Sequence, residues 1–211
     1  MTKKRELIDN DSETREGFNL PNLPILHDNA IGIEPENPRL ATMLQTVRDY
    51  ITQNEWNCEE TPRDDGGVLF ATYFNLENGN LRVAIKVLGD GNHCRIYAYA
   101  PFYIKEEYRA AVAVFTTYIN YQTTVTKLEM DMEDGELRMS CSVNVAGSFL
   151  SREMFEFMEY GVIALMNRCL GLVMSMMYGG ISPKQAFERY MKGNNNNSNT
   201  DSTESGSVVL H

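Results

Sequence analysis

The residues that come closest to a ligand-binding pattern lie between Asp131 and Gly135, where three carboxylates fall within five positions. This spacing resembles part of a calcium-binding loop, in which carboxylates at alternate positions supply oxygen ligands. The stretch lacks the Glu at the twelfth position that closes such a loop. Its flanks alternate apolar and polar residues, as strands do. We therefore interpret it as the turn of a β-hairpin and predict no metal there.

No other catalytic or ligand motif is visible in the sequence. The three histidines, His27, His93 and His211, are not spaced with carboxylates or cysteines as metal ligands are. The turn Gly89-Asp90-Gly91 lacks the third glycine of a nucleotide-binding loop and leads into a strand pattern. The sequence therefore predicts a protein that is not an enzyme, with no catalytic, cofactor-binding or metal-binding residues and no cofactor.

Charge limits the class of partner. The chain has 211 residues, a net charge of −10 and a pI near 4.8. Phosphate backbones and anionic lipid surfaces repel such a chain, so we expect neither nucleic acid nor a membrane as partner. A basic protein would be attracted to it.

Cysteine usage and the N-terminal residues predict a cytoplasmic protein. Met1 to Arg15 lacks the apolar core of a signal peptide. The candidate membrane span Gly161 to Tyr178 has Asn167-Arg168 at its centre, so we interpret it as a buried helix. The cysteines lack paired spacing, which is typical of buried thiols in a reducing compartment. They are Cys58, Cys94, Cys141 and Cys169.

Three segments are predicted. Residues 1–36 form an arm without its own core, and Pro21 and Pro24 favour extended structure there. The arm either lies across the domain or a partner, or is a flexible leader. Residues 37–192 form a single α+β domain. Residues 193–211 are an Asn-rich, low-complexity tail that we expect to be disordered.

The first half of the domain is predicted to contain a helix, three strands and a second helix. Asn37-Pro38 opens the first helix, which ends near Glu55 and is followed by a polar loop around residues 62–67. Asn78-Gly79 closes the first hairpin and places Phe74 opposite Val83. Asp90-Gly91 closes the second hairpin. The second helix, residues 105–121, is apolar on both sides, which predicts two-sided burial or a subunit contact.

One face of this meander combines tyrosines with cations, among them Lys86 and Arg95. Tyrosine and arginine are enriched in protein interfaces. The alternative is a solvated sheet face on which tyrosine simply suits a strand. The candidate protein-binding residues on this face are Tyr73, Arg82, Tyr97 and Tyr99.

The second half consists of a hairpin and helices. Asp134-Gly135 as a two-residue turn pairs Met132 with Leu137 and Asp131 with Arg138. Ser148 or Ser151 caps a long helix that ends at Tyr178 and is apolar nearly all round from Gly161. A short helix then runs from Ser182-Pro183 to about Lys192.

The long helix carries more apolar surface than one sheet covers, which predicts contact with a second subunit or a client protein. Methionine is flexible and polarisable and suits a surface that accepts varied apolar partners. The alternative is that the methionines fill the core. The candidate protein-binding residues here are Met158, Met166 and Met174.

This order of elements resembles the YbjN family: helix, three-stranded antiparallel meander, helix, β-hairpin, long helix, short helix. Ile119-Asn120 ends the second helix, residues 128–138 form the hairpin, and the resemblance covers Arg39 to Tyr190. It implies a fold like that of class I type III secretion chaperones, which are small acidic homodimers that bind extended protein segments without nucleotide. Members of the family are described only as proposed regulators of bacterial sensory transduction.

Two functional hypotheses follow. The first is a chaperone-like or regulatory protein, a homodimer that binds a protein or peptide client through apolar and Tyr-rich surfaces. The second is a regulator that senses a small ligand in a pocket between the sheet and the long helix.

Overall fold

The computed structural model describes residues 37–197 apart from Glu77, and the predictions for residues 1–36 and 198–211 lie outside the described residues. Four helices and a six-stranded sheet are present, so the predicted α+β class is confirmed. The helices are α1 Pro38–Gln53, α2 Glu106–Gln122, α3 Arg152–Tyr178 and α4 Pro183–Asn197. The strands are β1 Cys58–Pro62, β2 Val68–Leu76, β3 Gly79–Val87, β4 His93–Tyr99, β5 Thr126–Met130 and β6 Leu137–Asn144.

All strand pairs are antiparallel, in the order β1-β2-β3-β4-β6-β5. The hairpin of β5 and β6 joins the meander through β6, which pairs with β4. One face of the sheet shares a continuous apolar core with the four helices. Its central side chains include Leu81, Ile85, Ile96, Met139 and Phe155, all of them fully buried.

Strand β1 was not predicted, because its sequence Cys-Glu-Glu-Thr-Pro lacks alternation and four of its five residues are exposed. It is an edge strand that pairs with β2, with Cys58 opposite Thr72. Polar residues and proline are typical of edge strands, where they discourage pairing with other chains. Glu60 also accepts hydrogen bonds from Arg48 on α1, which links this edge to the helical layer.

The predicted registers of two hairpins were wrong by two residues. Phe74 lies opposite Leu81 rather than Val83. In the hairpin of β5 and β6, Leu137 lies opposite Met130 rather than Met132. A shift of two leaves every side chain on its predicted face, because side chains alternate with a period of two. The hairpin closed by Asp90-Gly91 has the predicted register, with Val87 opposite Cys94.

The second register differs because the loop between β5 and β6 is longer than a two-residue turn. The N–H of Asp131 bonds to the carbonyl of Glu136 at 2.9 Å, which leaves four residues in the loop. Arg109 on α2 donates to the carbonyls of residues 132, 133 and 134, and the N–H of Ile104 donates to that of Gly135. Contacts from a distant helix therefore hold this loop.

The helix starts follow the predicted capping residues. The Asn37 side chain accepts from the N–H of Arg39, and Ser151, one of the two predicted caps, accepts from the N–H of Met154. Leu150 and Phe155 flank the Ser151 cap and are both buried, in the positions of a hydrophobic staple.

Helix α3 is long and apolar enough to cross a membrane by length and composition. Ten of its residues are buried against the sheet and the other helices, so it serves as the core helix of this fold. Helix α4 continues to Asn197, five residues beyond the predicted end at Lys192. The helix therefore includes the first five residues of the predicted low-complexity tail.

Candidate functional site

The face of the sheet opposite the helices, which we call the open sheet face, is not part of the main apolar core. Its own buried cluster consists of Ala84, Tyr97 and Tyr99, with Leu69 packed against it. Alternation along the strands places the predicted tyrosines and Arg82 on this face together.

One row of side chains crosses five strands on this face. Tyr73 pairs with Arg82, Arg82 with Tyr99, Tyr99 with Arg138, and Arg138 with Glu129. The row therefore alternates aromatic and cationic side chains and ends in a carboxylate. Neighbouring strands lie about 4.8 Å apart, so each member is within reach of the next.

Cationic side chains cover the two central tyrosines. The guanidinium carbon of Arg82 lies 4.2 Å from the centroid of the Tyr99 ring. Arg138 and the ammonium of Lys86 lie over the Tyr97 ring at 4.8 Å and 5.3 Å. Such contacts are worth about 0.5–1 kcal/mol each at exposed sites. The rings therefore act as a platform that positions the cations.

Burial divides the predicted residues into two groups. Tyr97 and Tyr99 are only 7% and 8% exposed, whereas Tyr73 is 50% exposed. A partner would therefore meet Tyr73 and the cationic side chains, and would not meet the faces of the two central rings.

The Arg138 and Glu129 pair shows how this face holds a carboxylate. Arg138 Nε donates to Glu129 Oε2 at 2.8 Å. Burial lowers the pKa of Arg138, but the hydrogen bond and charge of Glu129 outweigh it, so the pKa is raised overall. For Tyr99 burial acts in the opposite direction and raises the pKa, so its phenol stays neutral at physiological pH.

The open sheet face carries charges of both signs. Its cations are Arg82, Lys86, Arg95 and Arg138, and its carboxylates are Glu59, Glu129 and Glu136, of which Glu136 lies 3.8 Å from Arg138. Lys127 shares this face by register, but its ammonium donates to the carbonyls of Asn120 and Thr123 at the end of α2. The sequence had not linked Lys127, Glu129 and Arg138 to the tyrosines, although Arg138 alternates with buried Leu137 and Met139 and so must point away from the core.

The three candidate methionines do not share a surface. Met158 and Met166 are buried in the core, with Met166 fully inaccessible, so their assignment to a partner-binding surface was wrong and the core alternative holds for them. Met174 is 42% exposed near the end of α3. The apolar side chains of this helix that were predicted to contact a second subunit or a client therefore lie largely in the core.

A second exposed surface lies where α2, β5 and α3 meet, and we call it the aromatic helix patch. A Cβ atom on Gly161 would lie 3.3 Å from the Thr126 methyl, so α3 approaches the start of β5 closely there. Large exposed side chains border this contact. The patch consists of Tyr121, Val125, Phe157 and Tyr160.

Neither surface is arranged for metal chemistry. Within residues 37–197, Glu77 aside, no three His, Cys, Asp or Glu side chains are grouped to hold an ion. The carboxylates of Asp131 and Asp134 instead accept backbone N–H groups of their own loop. A hollow of about 180 Å³ beside this loop is lined by Glu129, Met130, Asp131, Glu136 and Arg138.

Comparison with known proteins places the chain in a family. A family model for YbjN, described as "Putative bacterial sensory transduction regulator", matches residues 44–169. The crystal structure of YbjN from E. coli, described as a putative transcription regulator, is similar with a TM-score of 0.47 and 14% sequence identity. The match covers 64% of this chain and 92% of that chain. No curated protein matches. Because the family model spans more than half of the sequence, the chain belongs to the YbjN family.

Proposed function

We propose that this YbjN-family protein is a cytoplasmic, non-enzymatic regulator that acts by binding another protein through its open sheet face. One observation carries the proposal. The buried residues of all four described helices pack on one side of the sheet, while the other side presents Tyr73 beside a set of cations.

The chemistry of this face suits protein binding. Tyrosine and arginine are enriched at interfaces and dominate binding energy there. Arg82 and Arg138 lie over tyrosine rings, so less side-chain freedom is lost when a partner binds. The described residues offer no comparable constellation for catalysis.

We also propose that the protein works as a homodimer that contacts its copy through the aromatic helix patch. Phe157 and Tyr160 are large, exposed and one turn apart on α3. Exposed aromatic side chains that lie together mark association surfaces. Tyr121 near the end of α2 and Val125 just before β5 are also exposed and extend the same surface.

The small-ligand hypothesis has less support. The side chains between α3 and the sheet form one continuous core, with Val162, Met166 and Leu170 fully buried. The hollow of about 180 Å³ lies at the hairpin loop, and an open hollow of about 620 Å³ lies at Lys105, Glu106 and Glu107, so neither is lined by residues of α3.

Affinity capture from the native host tests the role of the open sheet face. The double variant Tyr73→Ser/Arg82→Gln changes this face, and Lys184→Gln/Arg189→Gln changes two exposed cations on α4 as a control. We expect the first variant to lose a captured protein that wild type and control both retain. Equal capture by all three proteins would contradict the proposal.

A further inference from the structure

We propose that the contact between α1 and α3 is a pH-sensitive switch operated by the carboxyl of Glu159. The contact consists of Tyr50 on α1 and of Phe155 and Glu159 on α3. It stays closed while Glu159 is protonated, and release of that proton favours an open form in which the carboxylate reaches water. Such a switch lies beyond the proposed function and does not depend on it.

The carboxyl of Glu159 is buried among apolar side chains. Among the residues that the structure describes, it is the one buried carboxylate, with 8% of the residue exposed. Phe155 and Val162, about one turn away on either side along α3, are fully buried. Glu159 accepts a hydrogen bond from the neutral hydroxyl of Tyr50 at 3.3 Å. Removal from water disfavours the charged form of a carboxyl, so the closed contact favours the protonated form.

The charged groups on α3 do not offset this cost. The negative charge of Glu156, three residues before Glu159, adds to the effect of burial. The guanidinium carbon of Arg152 lies over the Tyr50 ring, 5.4 Å from its centroid, and this side chain donates to Gln53. The cation of this region is therefore engaged at the end of α1 and not with the Glu159 carboxylate.

The other elements at this contact supply apolar side chains or charges that are already paired. The core-facing side chains of β2 and β3 are apolar apart from Thr72. Arg48 on α1 is paired with Glu60 on β1. Proton release from Glu159 therefore leaves a negative charge that the surrounding elements do not neutralise.

Helix α1 is anchored at its start and meets the switch in its last turn. The Asn37 side chain donates to the carbonyl of Gly89 at 3.3 Å, and Arg39 donates to Asn92 at 2.8 Å. Tyr50 lies near the other end of the helix. A small movement of that end opens the contact while the start of α1 remains attached.

The pH range of the switch follows from the two forms. Burial is the main cause that raises the pKa of Glu159 from 4.5 to about 7, and the Tyr50 hydrogen bond opposes it. In the open form the carboxyl is in water and has its ordinary pKa. Between these two values, each rise of one pH unit lowers the ratio of closed to open forms about tenfold. The contact is therefore most closed below pH 4.5 and most open above about pH 7.

Trp56, the only tryptophan of the sequence, lies beside the switch and reports on it. Its ring lies edge-on to those of Tyr50 at 5.3 Å and Phe74 at 4.9 Å. The preceding Glu55 has a φ of +54°, and the N–H of Trp56 donates to the carbonyl of Ile51 at 3.0 Å, so the end of α1 holds the ring in place. Separation of Tyr50 from α3 therefore changes the surroundings of this ring.

Tryptophan fluorescence of the full chain, measured from about pH 4.5 to about pH 8, tests the switch. We expect the emission of the wild type to shift to longer wavelength as the pH rises, because the ring of Trp56 gains contact with water. Glu159→Gln has a neutral side chain of nearly the same shape, and its emission should not shift. Far-UV circular dichroism of the wild type should stay constant over the same range, because only a local contact opens.

Two further variants separate the local charge from the net charge of the chain. Glu156→Gln removes the negative charge that adds to the effect of burial, so the emission should shift less than in the wild type. Glu188→Gln makes the same chemical change at an exposed position on α4 and should shift as the wild type does. An unshifted wild type, an equal shift in Glu159→Gln, or a loss of helix in the same pH range would overturn the proposed switch.

Discussion

Arg82 and Tyr99 lie directly opposite each other on β3 and β4, and the guanidinium carbon is 4.2 Å from the ring centroid. This pair explains why a tyrosine on the face away from the helices is nearly inaccessible. It also makes Arg82 part of the fold as well as part of the candidate binding face.

Arg138 should contribute to stability through its contacts with Glu129, Glu136 and Tyr97. Arg138→Ala removes its hydrogen bond to Glu129 and its contact with Tyr97, and should lower the free energy of unfolding by about 1–2 kcal/mol. Urea denaturation measures the change. Arg189→Ala, at an exposed position on α4, should cost less than about 0.5 kcal/mol. Equal effects of the two variants would show that the contacts of Arg138 contribute nothing measurable.

The free energy of unfolding should depend on pH through the carboxyl of Glu159. This carboxyl is 8% exposed beside Phe155 and accepts from the hydroxyl of Tyr50 at 3.3 Å. Burial is the main cause that raises its pKa from 4.5 to about 7, the Tyr50 hydrogen bond opposes this, and the charge of Glu156 adds to it.

The folded state therefore keeps a proton that the unfolded state releases between pH 4.5 and about 7. The contribution of Glu159 to the free energy of unfolding is complete below pH 4.5. It declines by roughly 1–3 kcal/mol as the pH rises to about 7. Glu159→Gln should flatten this part of the stability curve measured by urea denaturation at several pH values. An unchanged slope in the variant would contradict the assignment. Glu156→Gln serves as the control and should leave most of the slope in place.

The division of the methionines into core and surface is measurable. Met166→Ala opens a cavity in the core and should cost about 2–5 kcal/mol of unfolding free energy. Met174→Ala, at an exposed position of the same helix, should cost less than about 1 kcal/mol. Thermal unfolding of the two variants checks the difference. Similar melting temperatures would mean that Met166 is not packed as described.

Two glycines with similar backbone angles should respond differently to alanine. Gly135 and Gly147 have φ of +87° and +86°. A Cβ at Gly135 would lie 2.1 Å from the carbonyl oxygen of Ile104, whereas Gly147 has open space. Gly147→Ala should therefore cost about 1–2 kcal/mol from backbone strain alone. Gly135→Ala should cost clearly more in the same denaturation assay, and an equal cost would contradict the close packing of the hairpin loop.

The proposed dimer predicts a concentration-dependent mass that depends on the aromatic helix patch. Light scattering at micromolar concentration should give the mass of a dimer for wild type. Phe157→Ser/Tyr160→Ser should give a monomer, because it removes the exposed aromatic surface of α3. Tyr178→Ser, at an exposed position at the end of the same helix, is the control and should remain dimeric. A monomeric wild type would rule out the dimer.

The sequence was sufficient for those features of the fold that depend on local residues. Capping by Asn37 and Ser151 and the period of two along the strands were enough to place α1, the start of α3 and the two faces of the sheet. The side chains were assigned to the correct faces despite the register error, because the shift was an even number of residues.

Features that depend on distant contacts could not be predicted. The hairpin register follows a loop that Arg109 and Ile104 hold from elsewhere in the chain. Strand β1 exists because β2 offers it an edge, and its own residues give no strand signal. Arg138 joins the tyrosines only because β6 pairs with β4, which no local pattern specifies.

We propose that the open sheet face is the surface that contacts a partner protein. Photo-crosslinking in the native host tests it most directly, with photoreactive benzoylphenylalanine in place of Tyr73 on that face or of Tyr178 on α3. Both positions are exposed, so both side chains can react with a neighbour. We predict a discrete crosslinked protein at position 73 that is absent at position 178. No adduct at position 73, or the same adducts at both positions, would contradict the claim.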